Sequence, residues 1–161
     1  MIVLSVDPAT SSGWSRWEDG QLSTFGTLTI RDKGRLLPLS AWCLFTAHRE
    51  PGLLVIEEHT HPRGRSAARA LHEARSLWET LASLRGWRVV RVNSQRWQRD
   101  TLGRQAFTTA QRKAVALAFA RSICERARID VRNLDSDSAD AVCIGQWWQF
   151  TEKAAAYAAW K

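Results

Sequence analysis

The segment that decides the fold is MIVLSVDPATSSGWSRW, residues 1–17. Its first part, Ile2–Val6, is a short apolar run that ends at Asp7 and is typical of a buried β-strand. Pro8–Gly13 consists of small and polar residues and predicts a turn. Trp14–Trp17 alternates between apolar and polar residues, as a paired strand does. The chain is therefore expected to open with a buried strand that carries an acidic residue at its carboxyl end.

Three more strands and four helices are predicted downstream. Asp19-Gly20 is a hairpin signal, so the chain continues as an antiparallel meander. Asn93–Gly103 is expected to form one helical turn and a loop, and the third helix is expected to turn Val115, Phe119 and Ile123 inward. The order predicts an α/β fold with a mixed five-stranded sheet, an antiparallel meander followed by parallel strands, flanked by helices. The predicted strands are Leu22–Ile30, Leu53–Ile56 and Trp87–Val92, and the helices are Leu36–Glu50, Ser66–Arg85, Thr108 or Thr109 to Arg128, and Asp137–Phe150.

Length and composition exclude several classes of protein. A chain of 161 residues predicts a single domain over residues 1–161, and 45% hydrophobic with 24% charged residues excludes a disordered chain. No apolar run reaches the ~18 residues of a membrane helix, and the first residues do not form a secretory signal. Cys43, Cys124 and Cys143 fit neither a disulfide framework nor a metal-binding pair. We therefore expect buried, reduced cysteines, a cytoplasmic protein, no membrane contact and no organic cofactor.

The charge points to a polyanionic partner. The chain has 23 Lys and Arg against 16 Asp and Glu, a net charge of +7. The excess is concentrated between His61 and Lys113, where only Glu73, Glu79 and Asp100 oppose it. Nucleic acid is the partner that such a concentrated positive charge predicts, although a solubilising surface would have the same composition. The cations of this span are Arg63, Arg65, Arg69, Arg75, Arg85, Arg88, Arg91, Arg96, Arg99, Arg104, Arg112 and Lys113.

Four acidic residues are expected to converge at one edge of the sheet. Asp7 and Glu57 end two buried strands. Asp137 and Asp140 are three residues apart near a helix start, so they share the face that continues with apolar residues and packs on the sheet. Each acid also has an ordinary structural explanation: a turn cap for Asp7, a solvated strand end for Glu57, and an N-cap and first-turn acid for the helical pair. Asp135 and Glu58 remain alternative members of the cluster.

Clustered carboxylates repel each other, and a divalent cation removes the repulsion. Ligation by oxygen alone suits Mg²⁺ or Mn²⁺. Two such ions about 4 Å apart can clamp the attacking and leaving oxygens of a phosphodiester in line. The pattern therefore predicts a phosphodiester hydrolase with two Mg²⁺ or Mn²⁺ ions per active site.

Three segments resemble the RuvC family of Holliday junction resolvases, which belongs to the RNase H-like superfamily. They are VLSVDPATSSGWS at residues 3–15, REPGLLVIEEHT at 49–60 and DSDSADAVCIG at 135–145. Their order and spacing agree with the family over essentially the whole chain. The resemblance implies an RNase H-like fold and a homodimer that cuts four-way DNA junctions by paired symmetric nicks, in a bacterial or phage-infected cell.

The resemblance also assigns roles to residues. It implies that Asp7 bridges both ions, that Glu57 holds one ion, and that Asp140 with Asp137 holds the other. The helix Ser66–Arg85 would form the dimer contact, although core packing explains Trp78 and Leu81 in its apolar stripe equally well. Arg112 and Lys113 match basic residues that support catalysis in the family, and Lys113 joins the four acids in the catalytic set.

The loop after Glu57 departs from the family, because His59 and His61 stand where better-known relatives carry a wedging aromatic residue. Ala9 likewise replaces a glycine in the first motif. The segment SQRWQRD, residues 94–100, places Trp97 among cations and is expected to meet DNA as well. The candidate DNA-binding residues are His59, His61, Arg63, Arg65, Arg69, Arg96, Arg99, Arg104, Arg112 and Lys113.

Two alternative functions remain open. The first is an RNase H-fold nuclease that acts on RNA or an RNA–DNA hybrid with the same acids. The second is a non-catalytic scaffold that only binds branched DNA, against which the presence of all four acids argues. An actin-like ATPase is excluded by length, because such enzymes need two domains of this kind and 161 residues supply one.

Overall fold

The computed structural model describes residues 1–29, 36–58, 64–103 and 108–158, with only the backbone described for 36–38 and 152–158. A five-stranded sheet has the order β3-β2-β1-β4-β5. The pairs β1–β2 and β2–β3 are antiparallel, and the pairs β1–β4 and β4–β5 are parallel. The predicted mixed sheet is therefore confirmed. The elements are β1 (Ile2–Asp7), β2 (Ser11–Glu18), β3 (Gln21–Thr29), α1 (Leu36–Thr46), β4 (Leu53–Glu58), α2 (Arg65–Leu84), β5 (Arg88–Asn93), α3 (Ser94–Leu102), α4 (Thr109–Arg126) and α5 (Ser136–Ala158).

The sheet is covered by helices on both faces. Because side chains alternate along a strand, Val3 and Val55 pack on one face while Leu4 and Ile56 pack on the other. The first face forms a core with α3, α4 and α5, and the second forms a core with α1 and α2. The strands at the centre of the sheet are thus buried on both sides, which explains their uninterrupted apolar runs.

Helix α5 lies closest to the sheet. Its residues 138–147 are all buried, and the Ser5 and Ser15 hydroxyls both lie 3.0 Å from the carbonyl oxygen of Ala141. A side chain at Gly145 would collide with the Trp17 indole, so glycine is needed at this crossing. These contacts hold the start of α5 against β1 and β2.

Several expectations are corrected by the structure. Residues 94–102 form a full helix, not one turn and a loop, because the Asn93 side chain caps it by accepting from the backbone N–H groups of Gln95 and Arg96. Helix α1 ends at Thr46, before the expected Glu50. Cys43 is exposed, whereas Cys124 and Cys143 are buried, and all three are free thiols.

The buried face of α4 is also shifted from its predicted position. Ala116 and Ala120 are fully buried beside Ile123, whereas Val115 and Phe119 are half-buried. Small residues on this face let α4 and α5 approach closely. In the part of the chain that the structure describes, no helix is both long and apolar enough to span a bilayer.

Candidate functional site

The first two predicted acids lie side by side at one edge of the sheet. In the parallel pair of β1 and β4, Val6 is opposite Ile56, and Asp7 and Glu57 are the next residues of their strands. Asp7 is half-buried and Glu57 is 3% exposed. The carboxyl ends of adjacent parallel strands meet at the same edge, so the register brings these two carboxylates together.

Asp140 reaches the same place from α5. Its side chain is 8% exposed, and burial together with the nearby negative charge of Asp7 raises its pKa to about 6. The positive charges of Arg112 and Lys113 oppose this shift. The guanidinium of Arg112 donates to both carboxylate oxygens of Asp140, at 3.2 and 3.3 Å. Asp7 and Asp140 are therefore close enough to repel each other, and Arg112 only partly offsets this.

The backbone of Asp137 lies against β2, next to Gly13. Gly13 is the register partner of Asp7 on β2, and any Cβ at Gly13 would collide with the backbone carbonyl of Asp137. The absence of a side chain at Gly13 thus lets the start of α5 lie against the strand pair that carries Asp7. Asp137 itself is half-buried, and its carboxylate accepts from the Ser136 hydroxyl at 3.3 Å.

The two alternative acids have structural partners. Asp135 caps α5: its carboxylate accepts from the Ser138 backbone N–H at 2.8 Å, and the Ser138 hydroxyl accepts from the Asp135 backbone N–H at 3.1 Å. The Thr27 hydroxyl donates to the same carboxylate at 2.8 Å. The N-cap is therefore Asp135 and not Asp137. Glu58 points to α2, where Arg75 lies 3.5 Å away.

The contact between Trp97 and Glu57 is the feature of the site that sequence reasoning missed. The Trp97 side chain is fully buried, and its indole N–H donates to Oε2 of Glu57 at 2.7 Å. Trp97 itself is therefore not accessible to DNA, whereas Arg96 and Arg99 of the same segment are exposed and stay candidates. Its sequence does contain a signal, because Trp97 is the only large apolar residue of α3 before Leu102, and a helix needs such a residue to pack on the core.

The described candidate DNA-binding cations lie on three helices. Arg65 and Arg69 are exposed on the first turns of α2, Arg96 and Arg99 are exposed on α3, and Lys113 is exposed near the start of α4. Some already have protein partners: Arg69 pairs with Glu73 at 2.7 Å, Arg99 with Asp100 at 2.9 Å, and Arg96 lies 5.1 Å above the Trp147 ring. The predicted residues His59, His61, Arg63 and Arg104 lie outside the described part of the chain.

Of the two explanations for Trp78 and Leu81 on α2, the structure shows packing in the core of one chain. Trp78 is fully buried and Leu81 is 9% exposed, and both pack in the core between the sheet, α1 and α2. On the outer side of the helix, Leu84 is 70% exposed. A contact between two copies through α2 would therefore use its outer face and not Trp78.

The donor set fits a divalent cation that prefers oxygen. Asp7, Glu57 and Asp140 offer carboxylate oxygens alone, which suits Mg²⁺ or Mn²⁺. Within the described residues, no group of three or more His, Cys, Asp and Glu side chains is already arranged around one point. The acids are instead held by protein donors, Glu57 by Trp97 and Asp140 by Arg112. Two features therefore support a divalent cation here. The side chains offer only carboxylate oxygens, and a cation would relieve the repulsion between Asp7 and Asp140.

Comparison with known proteins identifies the fold. No protein-family model and no curated protein match the sequence. Two solved structures are similar over 96% of this chain. One is Thermus thermophilus RuvC in complex with a Holliday junction substrate, with a TM-score of 0.73, 17% identity and 96% of its own chain covered. The other is a structure of Thermus thermophilus RuvC, with a TM-score of 0.72, 16% identity and 97% covered. The RNase H-like fold that the three segments predict is therefore confirmed.

Proposed function

We propose that this chain is a single-domain, metal-dependent endonuclease that resolves four-way DNA junctions by paired symmetric nicks. One observation carries the proposal: Asp7 and Asp140 are held close enough to repel each other, at the sheet edge where Glu57 also ends its strand. Such repulsion destabilises the folded chain, whereas a bound cation would turn the same charges into ligands, so the pair is typical of a functional site. The shared fold with a RuvC that is solved with its junction substrate supports the choice of substrate.

The roles of the acids follow from their positions. Asp7, Glu57 and Asp140, with Asp137, would hold two Mg²⁺ or Mn²⁺ ions. When bound, such ions activate the attacking water and stabilise the departing 3′ oxygen. Arg112 limits the repulsion between the acids by donating to Asp140. Lys113 projects from the same helical turn into solvent and would meet the phosphate next to the cut.

The exposed cations would bind the DNA backbone. Arg65, Arg69, Arg96 and Arg99 carry guanidinium groups that suit phosphate oxygens and fix the orientation of DNA without reading its sequence. We propose that His59, His61, Arg63, Arg104, Arg112 and Lys113 complete this surface. Paired nicks need two active sites, so the active form would be a homodimer. We place it in the cytoplasm, since its three cysteines are free thiols.

The test is cleavage of a synthetic four-way junction beside a linear duplex and an RNA–DNA hybrid, each with Mg²⁺, Mn²⁺ or EDTA. We expect metal-dependent paired nicks in the junction alone. Asp7→Asn, Glu57→Gln and Asp140→Asn should abolish cleavage and keep junction binding, because each removes a negative charge beside phosphates. Asp130→Asn is the matched control, since Asp130 is an exposed acid that pairs with Arg132, two residues away.

Other outcomes separate the alternatives. Cleavage of the hybrid without the junction would move the substrate to RNA. Junction binding without cleavage in either metal would indicate a scaffold. Near-normal cleavage by any one of the three variants would remove that residue from the site.

A further inference from the structure

We propose that Trp97 is a positioning residue that holds Glu57 in place for the metal site. This inference rests on the proposed function, because it assumes that Glu57 is a metal ligand. Its basis is the hydrogen bond of 2.7 Å from the Trp97 indole N–H to Oε2 of Glu57, between two side chains that are 0% and 3% exposed.

The chemistry of the indole suits this task. A buried carboxylate needs hydrogen-bond donors, and an indole N–H is a donor that carries no charge and has no acceptor atom. A Lys or Arg in its place would neutralise Glu57 and compete with a cation for it. Trp97 therefore fixes the orientation of the Glu57 carboxylate and leaves it able to attract a divalent ion.

Helix α3, which carries Trp97, is itself attached to both sides of the site. At its start, the Ser94 hydroxyl donates to the backbone carbonyl of Glu58 at 3.4 Å. At its end, Asp100 accepts from the Trp147 indole on α5 at 3.1 Å. The helix thus connects the strand of Glu57 to the helix of Asp140, and Trp97 is the side chain in its middle that reaches a site residue. Fixing its position fixes Glu57 relative to Asp140.

The sequence separation shows that this contact is a product of the fold. Trp97 and Glu57 are 40 residues apart. The register of β4 and β5 places Glu57 opposite Val92, and α3 begins two residues after Val92. The Asn93 cap turns the chain directly from β5 into α3, so the first turn of the helix brings Trp97 back over the end of β4.

The test measures Mn²⁺ binding by electron paramagnetic resonance and calorimetry, with Mn²⁺ as the only added ligand. Trp97→Phe removes the donor and keeps an aromatic ring. We expect it to weaken Mn²⁺ binding by about 10- to 100-fold, the range for losing a hydrogen-bond partner of a metal ligand. Trp87→Phe is the matched control, since Trp87 is 5% exposed and packs against Phe45 in the core on the other face of the sheet. It should leave Mn²⁺ affinity unchanged.

A double-mutant cycle with Glu57→Gln separates positioning from general loosening. If Trp97 acts through Glu57, Trp97→Phe should add nothing once Glu57 is replaced. An equal further loss in the Glu57→Gln background would overturn the inference. If Trp97→Phe fails to fold, a benzothiophene analogue of tryptophan at position 97 replaces the N–H by sulfur at nearly constant volume and is expected to show the same loss.

The cycle also distinguishes failure of this inference from failure of the proposed function. Weaker Mn²⁺ binding in Glu57→Gln together with unchanged binding in Trp97→Phe would reject the role of Trp97 and leave the metal site standing. Unchanged Mn²⁺ binding in Glu57→Gln would remove Glu57 from the metal site and thereby reject both.

Discussion

Replacing Asp140 by Asn should stabilise the protein when divalent metal is removed. Burial and the charge of Asp7 raise the pKa of Asp140 from 3.8 to about 6. A shift of this size corresponds to about 3 kcal/mol against the ionised form. Asn resembles the protonated acid and can still accept from Arg112, which is 3.2 Å from the carboxylate. We therefore expect Asp140→Asn to unfold at a higher urea concentration than the wild type at pH 7.5 in EDTA, with about 3 kcal/mol as the upper limit.

The sign of the pH dependence follows from the raised pKa. The folded state holds the Asp140 proton more tightly than the unfolded state, so ionisation lowers stability as pH rises from about 4 through about 6. The free energy of unfolding of Asp140→Asn should therefore exceed that of the wild type by about 3 kcal/mol at pH 7.5 but by only about 1 kcal/mol at pH 4.5.

Urea unfolding at the two pH values, with and without Mg²⁺, checks this reasoning. Mg²⁺ should stabilise the wild type more than the variant and so reduce the difference between their free energies of unfolding. A variant that is no more stable than the wild type at pH 7.5, or whose advantage is the same at pH 4.5, would refute the argument that burial and the charge of Asp7 disfavour the ionised form of Asp140.

Three further predictions concern the surroundings of this acid. Asp135→Ala should lower stability by about 1 kcal/mol in the same urea experiment, because it removes the side-chain oxygen that caps α5, and this is the opposite sign to Asp140→Asn five residues later. Equal signs for the two variants would contradict the separation of structural from site acids. Gly13→Ala should abolish junction cleavage while junction binding persists, because its Cβ would push the backbone of Asp137 away from β2; normal cleavage would show that this close approach is not needed. Arg99→Gln should reduce the slope of log affinity against log salt for junction binding by about 1, measured by fluorescence anisotropy, and an unchanged slope would mean that Arg99 touches no phosphate.

The sequence predicts those parts of the site that depend on local pattern. Asp7 and Glu57 end apolar runs, and parallel strands bring their carboxyl ends to one edge, so their proximity follows from two short segments. The inward position of Asp140 follows from helical periodicity, because the later residues on the same face of the helix are buried against the sheet. These inferences need only the period of each element and the order of elements along the chain.

The remaining contacts depend on packing between distant segments. Nothing near Trp97 in the sequence indicates Glu57 as its partner, because the contact arises only when α3 folds back over β4. The buried face of α4 differs from the predicted one because α4 packs closely on α5. The small side chains of Ala116 and Ala120 face this contact, and larger side chains lie beside it. The odd number and wide spacing of the cysteines predict that Cys43 is buried, but the buried face of α1 carries Ala41 and Phe45 instead.

The repulsion between Asp7 and Asp140 must be offset by contacts elsewhere, and the structure places them between the sheet and α5. The Ser5 hydroxyl, two residues before Asp7, lies 3.0 Å from the carbonyl oxygen of Ala141, the residue after Asp140. The Ser15 hydroxyl reaches the same carbonyl at 3.0 Å and accepts from the Trp17 indole at 2.9 Å. Buried hydroxyls at these positions tie α5 to β1 and β2 beside the two acids, since leaving them without partners would itself be costly. The polar groups that stabilise this core therefore also hold the helix of Asp140 against the strand of Asp7.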